Sequence, residues 1–192
     1  MNLLELLTKE EKKACSQKNV KKGTILFQEN DRCDYVCIVI RGTIQIVSYS
    51  QSGTEIIYNE IASGGMFGNN LLFSDDPYYR GNVLVKEDSE ILLINRENML
   101  KILQNNTEFL GNYLQIQANF SKKLNGTIKL LSLDSAEERF LYFLKQNKRI
   151  TYKSITSLAA SLYLSRETLS RLISKLVKQD KIIKKGKTII LN

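Results

Sequence analysis

The sequence predicts an α+β fold in which a β-rich first half is followed by a long helix and then by a small helical domain with a β-hairpin. Short apolar runs separated by glycines fill residues 20–95, helical periodicity fills residues 99–131, and two short amphipathic patterns fill residues 154–177. The chain has 192 residues, of which 43% are hydrophobic, so it can bury the core of one or two domains. The predicted segments are 1–105, 106–132 and 133–192.

The first element is predicted as a short helix from Leu3 to Cys15, in which Thr8 can cap a second turn of helix. The β-rich region that follows contains three clear apolar runs, namely Val36–Ile40, Thr43–Val47 and Ile91–Ile94. Regular short strands with glycines between them are typical of a sandwich or of a double-wound β-roll.

The region from Met99 to Leu131 is predicted as one long helix or as two helices in series. The residues of its seam, apolar except at Thr127, recur at steps of three and four, which is close to a heptad repeat: Phe109, Tyr113, Ile116, Phe120, Leu124, Thr127 and Leu131. This seam requires a partner surface, either a second copy of the chain or, for part of its length, the β-rich domain of the same chain. Asn125 and Gly126 interrupt the seam and predict a helix break or a close backbone approach.

The last third of the chain contains two short amphipathic helices between Ser154 and Val177, preceded by a predicted capping box at Asp134–Glu137 that opens a helix through Leu144. Only Tyr163-Leu164-Ser165 separates the two apolar patterns, which leaves room for a tight turn and favours a helix-turn-helix. Ser165 is placed to cap the second helix. An ordinary helical hairpin with a solvated charged face is the alternative interpretation.

The net charge favours a nucleic-acid partner for this region. Residues 132–192 hold 13 Lys and Arg against 5 Asp and Glu, whereas residues 1–131 hold 15 of each, so the whole excess of +8 lies in the last third. A field of one sign on a small domain is expected where phosphates are neutralised. A membrane surface is the weaker alternative. Two β-branched runs, Ile182-Ile183 and Thr188–Leu191, joined by a lysine-rich turn, predict a basic hairpin beside the helices.

These residues carry a resemblance to a known family. The strings LAASLYLSRETLSR and KIIKKGKTIIL resemble the DNA-binding domain of the Crp/Fnr superfamily, most closely its cyclic-AMP receptor branch, and the β-rich segments are similar in order to that superfamily's sensor. The resemblance implies a cyclic-nucleotide-binding-type β-roll (a double-stranded β-helix), a long dimerisation helix and a C-terminal winged helix-turn-helix. One departure is Tyr163, since the family usually has glycine at this turn position, where positive φ is required.

The resemblance also implies roles for individual residues and partners. The bases of a TGTGA-like half-site within a palindromic operator would be read by Arg166, Glu167, Ser170 and Arg171, because arginine pairs with guanine and glutamate accepts from cytosine. The DNA backbone would be contacted by Ser165, Thr168, Lys184, Lys185 and Lys187. Homodimerisation would use Tyr113, Ile116, Phe120 and Leu124. RNA polymerase is implied as a further partner of the regulator.

The expected effector pocket comprises Gly68, Asn69, Asn70, Arg80 and Tyr113. Family members that bind cyclic nucleotides carry a glutamate that accepts from the ribose hydroxyl and an arginine that neutralises the phosphate. In this chain Asn69 replaces the glutamate, Gly81 replaces a hydroxyl residue, and Arg80 is displaced by one position. These departures argue against a cyclic nucleotide, predict an unknown small-molecule effector, and leave Arg80 paired with Asp75 or Asp76 as the alternative.

Cysteine and histidine content excludes several other functions. The chain has no histidine, the commonest general base and metal ligand, so neither an enzyme nor a metal site is predicted. Cys15, Cys33 and Cys37 do not supply the four thiolates of an iron–sulfur sensor. Cys37 is expected in the core, whereas Cys33, near a turn, is the better candidate for a reactive thiol. Two alternatives to an effector-controlled regulator remain. One is a thiol redox sensor, and the other is an effector-independent regulator whose β-roll is purely structural. No segment predicts membrane insertion or export, so a cytoplasmic location is expected.

Overall fold

The computed structural model describes residues 3–50, 53 and 55–192 of the chain. The chain forms two compact units, Met1–Ala118 and Asn119–Asn192, each with its own buried core. The predicted three-part division at 105/106 and 132/133 stays a prediction. Among the described residues, no helix has both the length and the apolar character needed to cross a bilayer.

The first unit is built on two four-stranded antiparallel sheets. In its described part the strands are β1 (Ser16–Val20), β2 (Ile25–Phe27), β3 (Tyr35–Arg41), β4 (Thr43–Tyr49), β5 (Glu55–Ala62), β6 (Met66–Phe67), β7 (Asn82–Val85) and β8 (Ser89–Asn95). One sheet has the order β1-β8-β3-β6 and the other β2-β7-β4-β5. Apolar residues from both sheets form one buried cluster, including Val39, Ile44, Val83 and Ile91. The predicted β-roll is therefore confirmed, and the three predicted strands lie within β3, β4 and β8.

Helices at both ends of this unit cover one sheet. They are α1 (Leu3–Leu6), α2 (Lys9–Lys13), α3 (Arg96–Asn105) and the first part of α4 (Thr107–Leu131). The prediction of a single helix from Leu3 to Cys15 is wrong. The first helix ends at Leu6, and Thr8, the predicted cap, opens the second helix in a capping box with Glu11. A second buried cluster packs these helices on β3 and β8 through residues such as Leu3, Val36, Ile38, Met99 and Phe109.

The region from 96 to 131 contains two helices in series, one of the two predicted arrangements. The break lies at Asn106, whose side chain accepts from the Phe109 amide at 3.0 Å and donates to the Leu6 carbonyl at 2.9 Å. The predicted interruption at Gly126 does not occur, because α4 runs through it to Leu131. A Cβ atom built on Gly126 would meet no neighbouring atom within 4 Å, so its backbone does not approach another described residue closely.

The second unit contains the end of α4, three further helices and a three-stranded sheet in the order β10-β11-β9. The elements are α5 (Ala136–Asn147), β9 (Arg149–Thr151), α6 (Ile155–Ser161), α7 (Arg166–Lys178), β10 (Ile182–Lys185) and β11 (Thr188–Leu191). The capping box of α5 pairs Ser135 with Glu138, one position later than predicted, and the helix extends three residues beyond Leu144. Strand β9 was not predicted from the sequence.

Candidate functional site

The turn between α6 and α7 forms without glycine. Tyr163 has a φ angle of 55°, the left-handed conformation that glycine adopts most readily, and its side chain is exposed. Leu162 and Leu164 on either side of it pack into the core of the second unit. Their burial holds the strained residue in place, so the tight turn predicted from the short spacing is present despite the departure from the family pattern.

Ser165 caps α7, as predicted. Its hydroxyl oxygen accepts from the Thr168 amide at 3.0 Å and lies 2.9 Å from the Thr168 hydroxyl. A serine at this position satisfies one of the free amides of the first helical turn. Both side chains are exposed at the N-terminal end of α7, where amide groups and the helix dipole favour an anion such as a phosphate.

Helix α7 has one buried face and one free polar face. Leu169, Leu172, Ile173 and Leu176 are buried in the domain core. The other face exposes the four residues predicted to read bases, Arg166, Glu167, Ser170 and Arg171. Within the described part of the chain, no ion pair involves Arg166, Glu167 or Arg171. Their donors and acceptors are therefore available to an external partner.

The basic hairpin forms a wing beside these helices. Strands β10 and β11 are antiparallel, with Ile182 opposite Leu191 at one end and Lys185 opposite Thr188 at the other. Gly186 and Lys187 join them, and Gly186 has a φ angle of 58°. Lys184 and Lys185 lie in the strand and not in the connecting loop, which corrects the predicted hairpin. All three predicted backbone-contacting lysines are exposed. Strand β9 extends the sheet through β11 and links the wing to the end of α5.

Lys175, near the end of α7, and Lys181, just before β10, both contact the start of α5. The Glu137 carboxylate accepts from Lys175 Nζ at 2.7 Å and from Lys181 Nζ at 2.9 Å. These hydrogen bonds to Lys175 and Lys181 hold the pKa of Glu137 below its usual value. Sequence inspection missed this network, because the residues are about 40 positions apart along the chain.

The predicted seam of α4 changes character along the helix. Tyr113 is buried against the β-roll and Ile116 is half-buried there, so the prediction that Tyr113 faces another protomer is wrong. Between residues 119 and 131 the apolar residues are exposed, except for Leu130, which is buried in the core of the second unit. They form a stripe at steps of four, four and three, made of Phe120, Leu124, Ile128 and Leu131. We refer to these four residues as the α4 stripe; Ile128, the most exposed of them, was not predicted.

The loop after β6 joins the β-roll to α4 through an amide network. The Tyr113 hydroxyl donates to the Asn69 carbonyl at 3.0 Å. Gln117 Nε2 donates to the same carbonyl at 3.1 Å, and Asn69 Nδ2 donates to Gln117 Oε1 at 2.5 Å. Two residues predicted for the effector pocket, Asn69 and Tyr113, therefore do lie together. Gln117 was missed, because an isolated glutamine on a helix gives no sequence signal.

Arg80 does not join this group. From Tyr79 to Val85 the chain alternates, with Tyr79, Gly81, Val83 and Val85 buried and Arg80 exposed on the opposite side. Arg80 instead forms an ion pair with Asp76, the alternative considered from the sequence. The position facing the interior is Tyr79, whose ring stacks on Phe27 with 4.9 Å between the centroids. The role of Arg80 in an effector pocket stays a prediction, and its guanidinium lies on the surface of the roll, paired with Asp76.

The interior of the β-roll holds a phenol and two thiols. The Tyr79 hydroxyl is buried and has no hydrogen-bond partner within the described part of the chain. Burial raises the pKa of Tyr79, because a phenolate would be poorly solvated there. Cys33 and Cys37 belong to the same buried cluster. Among the described residues, this buried cluster contains no cation, and Arg80 lies outside it, so a phosphate would have no positively charged partner there.

The thiols are buried as well. Cys37 is in the core, as predicted, and burial raises its pKa strongly. Cys33, predicted as an accessible thiol near a turn, is only 2% exposed, and burial also raises its pKa. A raised pKa disfavours the thiolate that reacts with oxidants. The expectation that Cys33 is a reactive thiol is therefore wrong. Among the described residues, no group of three side chains is arranged to bind a metal ion.

Comparison with known proteins agrees with this geometry. Residues 17–106, which cover the β-roll and α3, match the family model described as cyclic nucleotide-binding domain. The chain is 28% identical to the cAMP-activated global transcriptional regulator CRP of Haemophilus influenzae, over 88% of this chain and 80% of that protein. It is 24% identical to the regulator Vfr of Pseudomonas aeruginosa, over 88% of this chain and 86% of that protein. A shorter match, at 24% identity over 62% of this chain, spans half of the anaerobic regulatory protein of Bacillus subtilis.

Over most of its length the chain is therefore similar to transcription regulators of the Crp/Fnr family, which confirms the resemblance seen in the sequence. Its role as a DNA-binding transcription regulator, predicted from the helix-turn-helix and the charge, is confirmed. The relatives are named as regulators and not as enzymes.

Solved structures show the same fold. A mutant of CooA from Carboxydothermus hydrogenoformans aligns with a TM-score of 0.68 at 21% identity, over 100% of this chain and 91% of that chain. The catabolite activator protein of Thermus thermophilus aligns with a TM-score of 0.61 at 22% identity, over 99% of this chain and 93% of that chain. The predicted fold class, with its β-roll, long helix and C-terminal helical domain, is therefore confirmed.

Proposed function

We propose that this Crp/Fnr-like regulator acts as a homodimer that binds a palindromic operator under the control of a small-molecule effector. The observation that carries the DNA-binding part is the free polar face of α7. Arg166, Glu167 and Arg171 are exposed and form no ion pair among the described residues, while the opposite face of the helix is fixed in the core. A helix held in this way can enter the major groove with its donors and acceptors directed at base edges.

The residues divide into those that read bases and those that hold the backbone. Arg166 and Arg171 each offer a guanidinium to guanine, and Glu167 offers an acceptor to cytosine. Ser165 and Thr168 lie at the amide end of α7, where a phosphate would be bound. The wing lysines, Lys184, Lys185 and Lys187, supply positive charge without a geometry that distinguishes bases.

The α4 stripe supports the homodimer. Four exposed apolar side chains on one face of a helix, Phe120, Leu124, Ile128 and Leu131, match the spacing by which two helices pack in a coiled coil. A two-fold axis along the stripe would bury it against its own copy and would present two α7 helices to half-sites about one DNA turn apart. The palindrome of the operator follows from this symmetry.

Effector control is supported by the relatives, which are named as cAMP-activated regulators, and by the link between the β-roll and α4 through Asn69. The effector differs from a cyclic nucleotide, because Asn69 carries no charge and Arg80 lies outside the roll, paired with Asp76. RNA polymerase and a cytoplasmic location belong to the same proposal, since the target is operator DNA. An effector-independent regulator is the second candidate, favoured by the buried, mainly apolar cluster inside the roll.

Selection from randomised DNA tests the proposal. Wild-type protein should enrich one palindromic sequence whose half-sites are separated by about one helical turn, roughly 10 base pairs. The matched control is Arg166→Ala combined with Arg171→Ala, which should enrich no sequence while keeping weak binding to all DNA. If wild-type protein enriches no palindrome, or if the double variant enriches the same one, the proposed mode of DNA binding is wrong.

A further inference from the structure

A surface cleft in the first unit has the features of a ligand site and lies apart from the predicted effector residues. It has a volume of about 490 Å³, within the range typical of small-molecule sites. We call it the Arg96 cleft, and the residues that matter for the argument are Arg32, Asp34, Leu72, Asp75, Tyr78 and Arg96.

The walls of the cleft are held together by backbone hydrogen bonds between two loops. The Cys33 amide donates to the Pro77 carbonyl at 2.6 Å, the Asn30 amide donates to the Tyr79 carbonyl at 2.8 Å, and the Tyr79 amide donates to the Asp31 carbonyl at 2.9 Å. A site whose walls are fixed before binding loses little conformational entropy when a ligand enters. The cleft is therefore preorganised and is not a gap between independent loops.

Of the four charged side chains that line the cleft, two are paired with each other. Arg32 Nε lies 3.3 Å from Asp34 Oδ1, so these two residues neutralise each other. Arg96 and Asp75 form no ion pair within the part of the chain that the structure describes. The Arg96 guanidinium lies over the Phe73 ring, 5.5 Å from its centroid, and this contact leaves its in-plane N–H donors free. Arg96 and Asp75, which have no ion-pair partner among the described residues, thus line the same cleft.

Apolar groups complete the lining. Leu72 contributes to the floor, Pro77 and the half-exposed ring of Tyr78 contribute to the wall, and the Phe73 ring lies beneath Arg96. A ligand that matches this surface carries a carboxylate for Arg96, an ammonium group for Asp75, and an apolar or aromatic portion between or beside them. A phosphate or another simple anion would leave the Asp75 carboxylate without a partner and would be repelled by it.

We propose that the Arg96 cleft binds a zwitterionic amino acid with an apolar side chain, or the equivalent short peptide. The ligand's carboxylate accepts from the Arg96 guanidinium, its ammonium donates to the Asp75 carboxylate, and its side chain packs on Leu72 and Tyr78. Arginine is suited to the carboxylate because its planar donors match two carboxylate oxygens.

The cleft is connected to α4 within the same unit. The Leu72 amide donates to the Gly68 carbonyl at 2.9 Å, and the next residue, Asn69, bonds to Tyr113 and Gln117 on α4. The Leu72 side chain belongs to the buried cluster that contains Phe109 and Tyr113. A ligand that contacts Leu72 therefore acts on the loop that holds α4, and its effect on DNA binding rests on the function proposed above.

Calorimetry on the full chain tests the binding step. The probes are L-phenylalanine, L-leucine and glycyl-L-phenylalanine, together with N-acetyl-L-phenylalanine, which lacks the ammonium, and L-phenylalaninamide, which lacks the carboxylate. At least one zwitterion should bind, and each blocked derivative should bind about tenfold more weakly or worse, because a charge-assisted hydrogen bond is lost.

Two variants and two controls assign the contacts. Arg96→Gln should weaken the zwitterion about tenfold or more and should bind the amide no worse than the zwitterion. Asp75→Asn should also weaken binding of the zwitterion about tenfold or more, and it should bind the N-acetyl derivative no worse than the zwitterion. Lys101→Gln and Glu97→Gln, which remove exposed charges from the same helix as Arg96 outside the cleft, should leave the affinity unchanged. If no probe binds, or if Arg96→Gln and Asp75→Asn bind the zwitterion as wild type does, the proposed site is wrong.

The regulatory step has a separate readout. Operator affinity measured with and without the amino acid should differ for wild type and should not differ for Arg96→Gln. Binding without a change in operator affinity supports the site and contradicts its regulatory role. Failure of the selection experiment to yield any operator would contradict the proposed function and would leave the calorimetric result on the site standing.

Discussion

Asn69 and Gln117 bond to each other in both directions. The Asn69 side-chain amide donates to Gln117 Oε1 at 2.5 Å, and Gln117 Nε2 donates back to the Asn69 carbonyl at 3.1 Å. The Tyr113 hydroxyl donates a second hydrogen bond to the Asn69 carbonyl. The loop after β6 is thereby attached to α4 by polar contacts, at the position where the sequence comparison expected a charged ligand-binding residue.

Removing one partner of this pair should lower the free energy of unfolding. Gln117→Ala and Asn69→Ala should each cost about 1–2 kcal/mol, since each leaves half-buried polar groups unpaired. The double variant should cost less than the sum of the two, because the shared interaction is lost only once. Urea unfolding of the four proteins measures this coupling. Gln115→Ala, at an exposed position of the same helix, should change stability by less than about 0.5 kcal/mol. Additive effects would mean that the pair is not coupled.

The α4 stripe predicts the behaviour of Phe120→Glu. Two carboxylates placed in an apolar contact across the two-fold axis should convert the dimer into a monomer at low micromolar concentration. Sedimentation velocity measures the change. Asn119→Glu adds the same charge next to the stripe and should leave the dimer intact. A dimeric Phe120→Glu variant, or a wild-type monomer at that concentration, would refute the proposed interface.

The roles of α7 and of the wing differ in their effect on sequence preference. Arg166→Ala should cost about 1–3 kcal/mol on the operator and should relax the preference at one base position, because a bidentate contact to guanine is lost. Lys187→Ala should weaken binding to all sequences alike and reduce the salt dependence. Selection from randomised DNA at two salt concentrations distinguishes the variants. If Arg166→Ala keeps the wild-type sequence preference while Lys187→Ala changes it, then Lys187 reads bases and Arg166 contacts the backbone, the reverse of the proposal.

Cyclic AMP and cyclic GMP should show no saturable binding at micromolar concentration. The outward position of Arg80 and its ion pair with Asp76 leave the interior of the roll without a cation for the phosphate. Isothermal titration calorimetry with each nucleotide is the measurement. Micromolar binding that disappears in Arg80→Ala would show that the arginine reaches the ligand and that its position in the roll is not decisive.

The Glu137 network predicts a pH-dependent contribution to stability. Hydrogen bonds from Lys175 and Lys181 lower the pKa of Glu137 in the folded protein, so its stabilising effect is present above the pKa of the unfolded chain and is lost as pH falls through the lower folded value. The stability difference between wild type and Glu137→Gln should therefore shrink from pH 7 towards pH 3. Thermal unfolding across this range measures it. The control is Asp134→Asn, which removes an exposed carboxylate that has no ion pair among the described residues, and its stability difference from wild type should not shrink in this way. A difference for Glu137→Gln that stays constant with pH would rule out the proposed contribution of the Glu137 network.

Local patterns in the sequence predicted most of the fold. The apolar periodicity of α7 and the strand runs within β3, β4 and β8 were correct, because each depends on residues close in sequence. Strand β9 was missed, since three residues with one buried side chain give no periodic signal. It exists because β11 supplies its hydrogen bonds.

The errors arose where distant segments decide the outcome. Cys33 follows a turn, and turns are usually exposed, but its sulfur is covered by residues around Gly68, whose carbonyl lies 3.7 Å away. Tyr113 fitted the heptad spacing as well as Phe120 did. The position of the strands relative to the helix decides whether Tyr113 or Phe120 packs on the β-roll. No pattern within α4 contains that information.

The alternation from Tyr79 to Val85 has an evolutionary consequence. Side chains on an extended segment change sides with every residue, so a slip of this segment by one residue would turn Arg80 towards the interior. The same slip would turn Val83 and Val85 out of the buried cluster to which they belong. The core residues of β7 therefore keep the guanidinium outside the roll, and an inward-facing cation would have to arise by substitution at a buried position such as Tyr79.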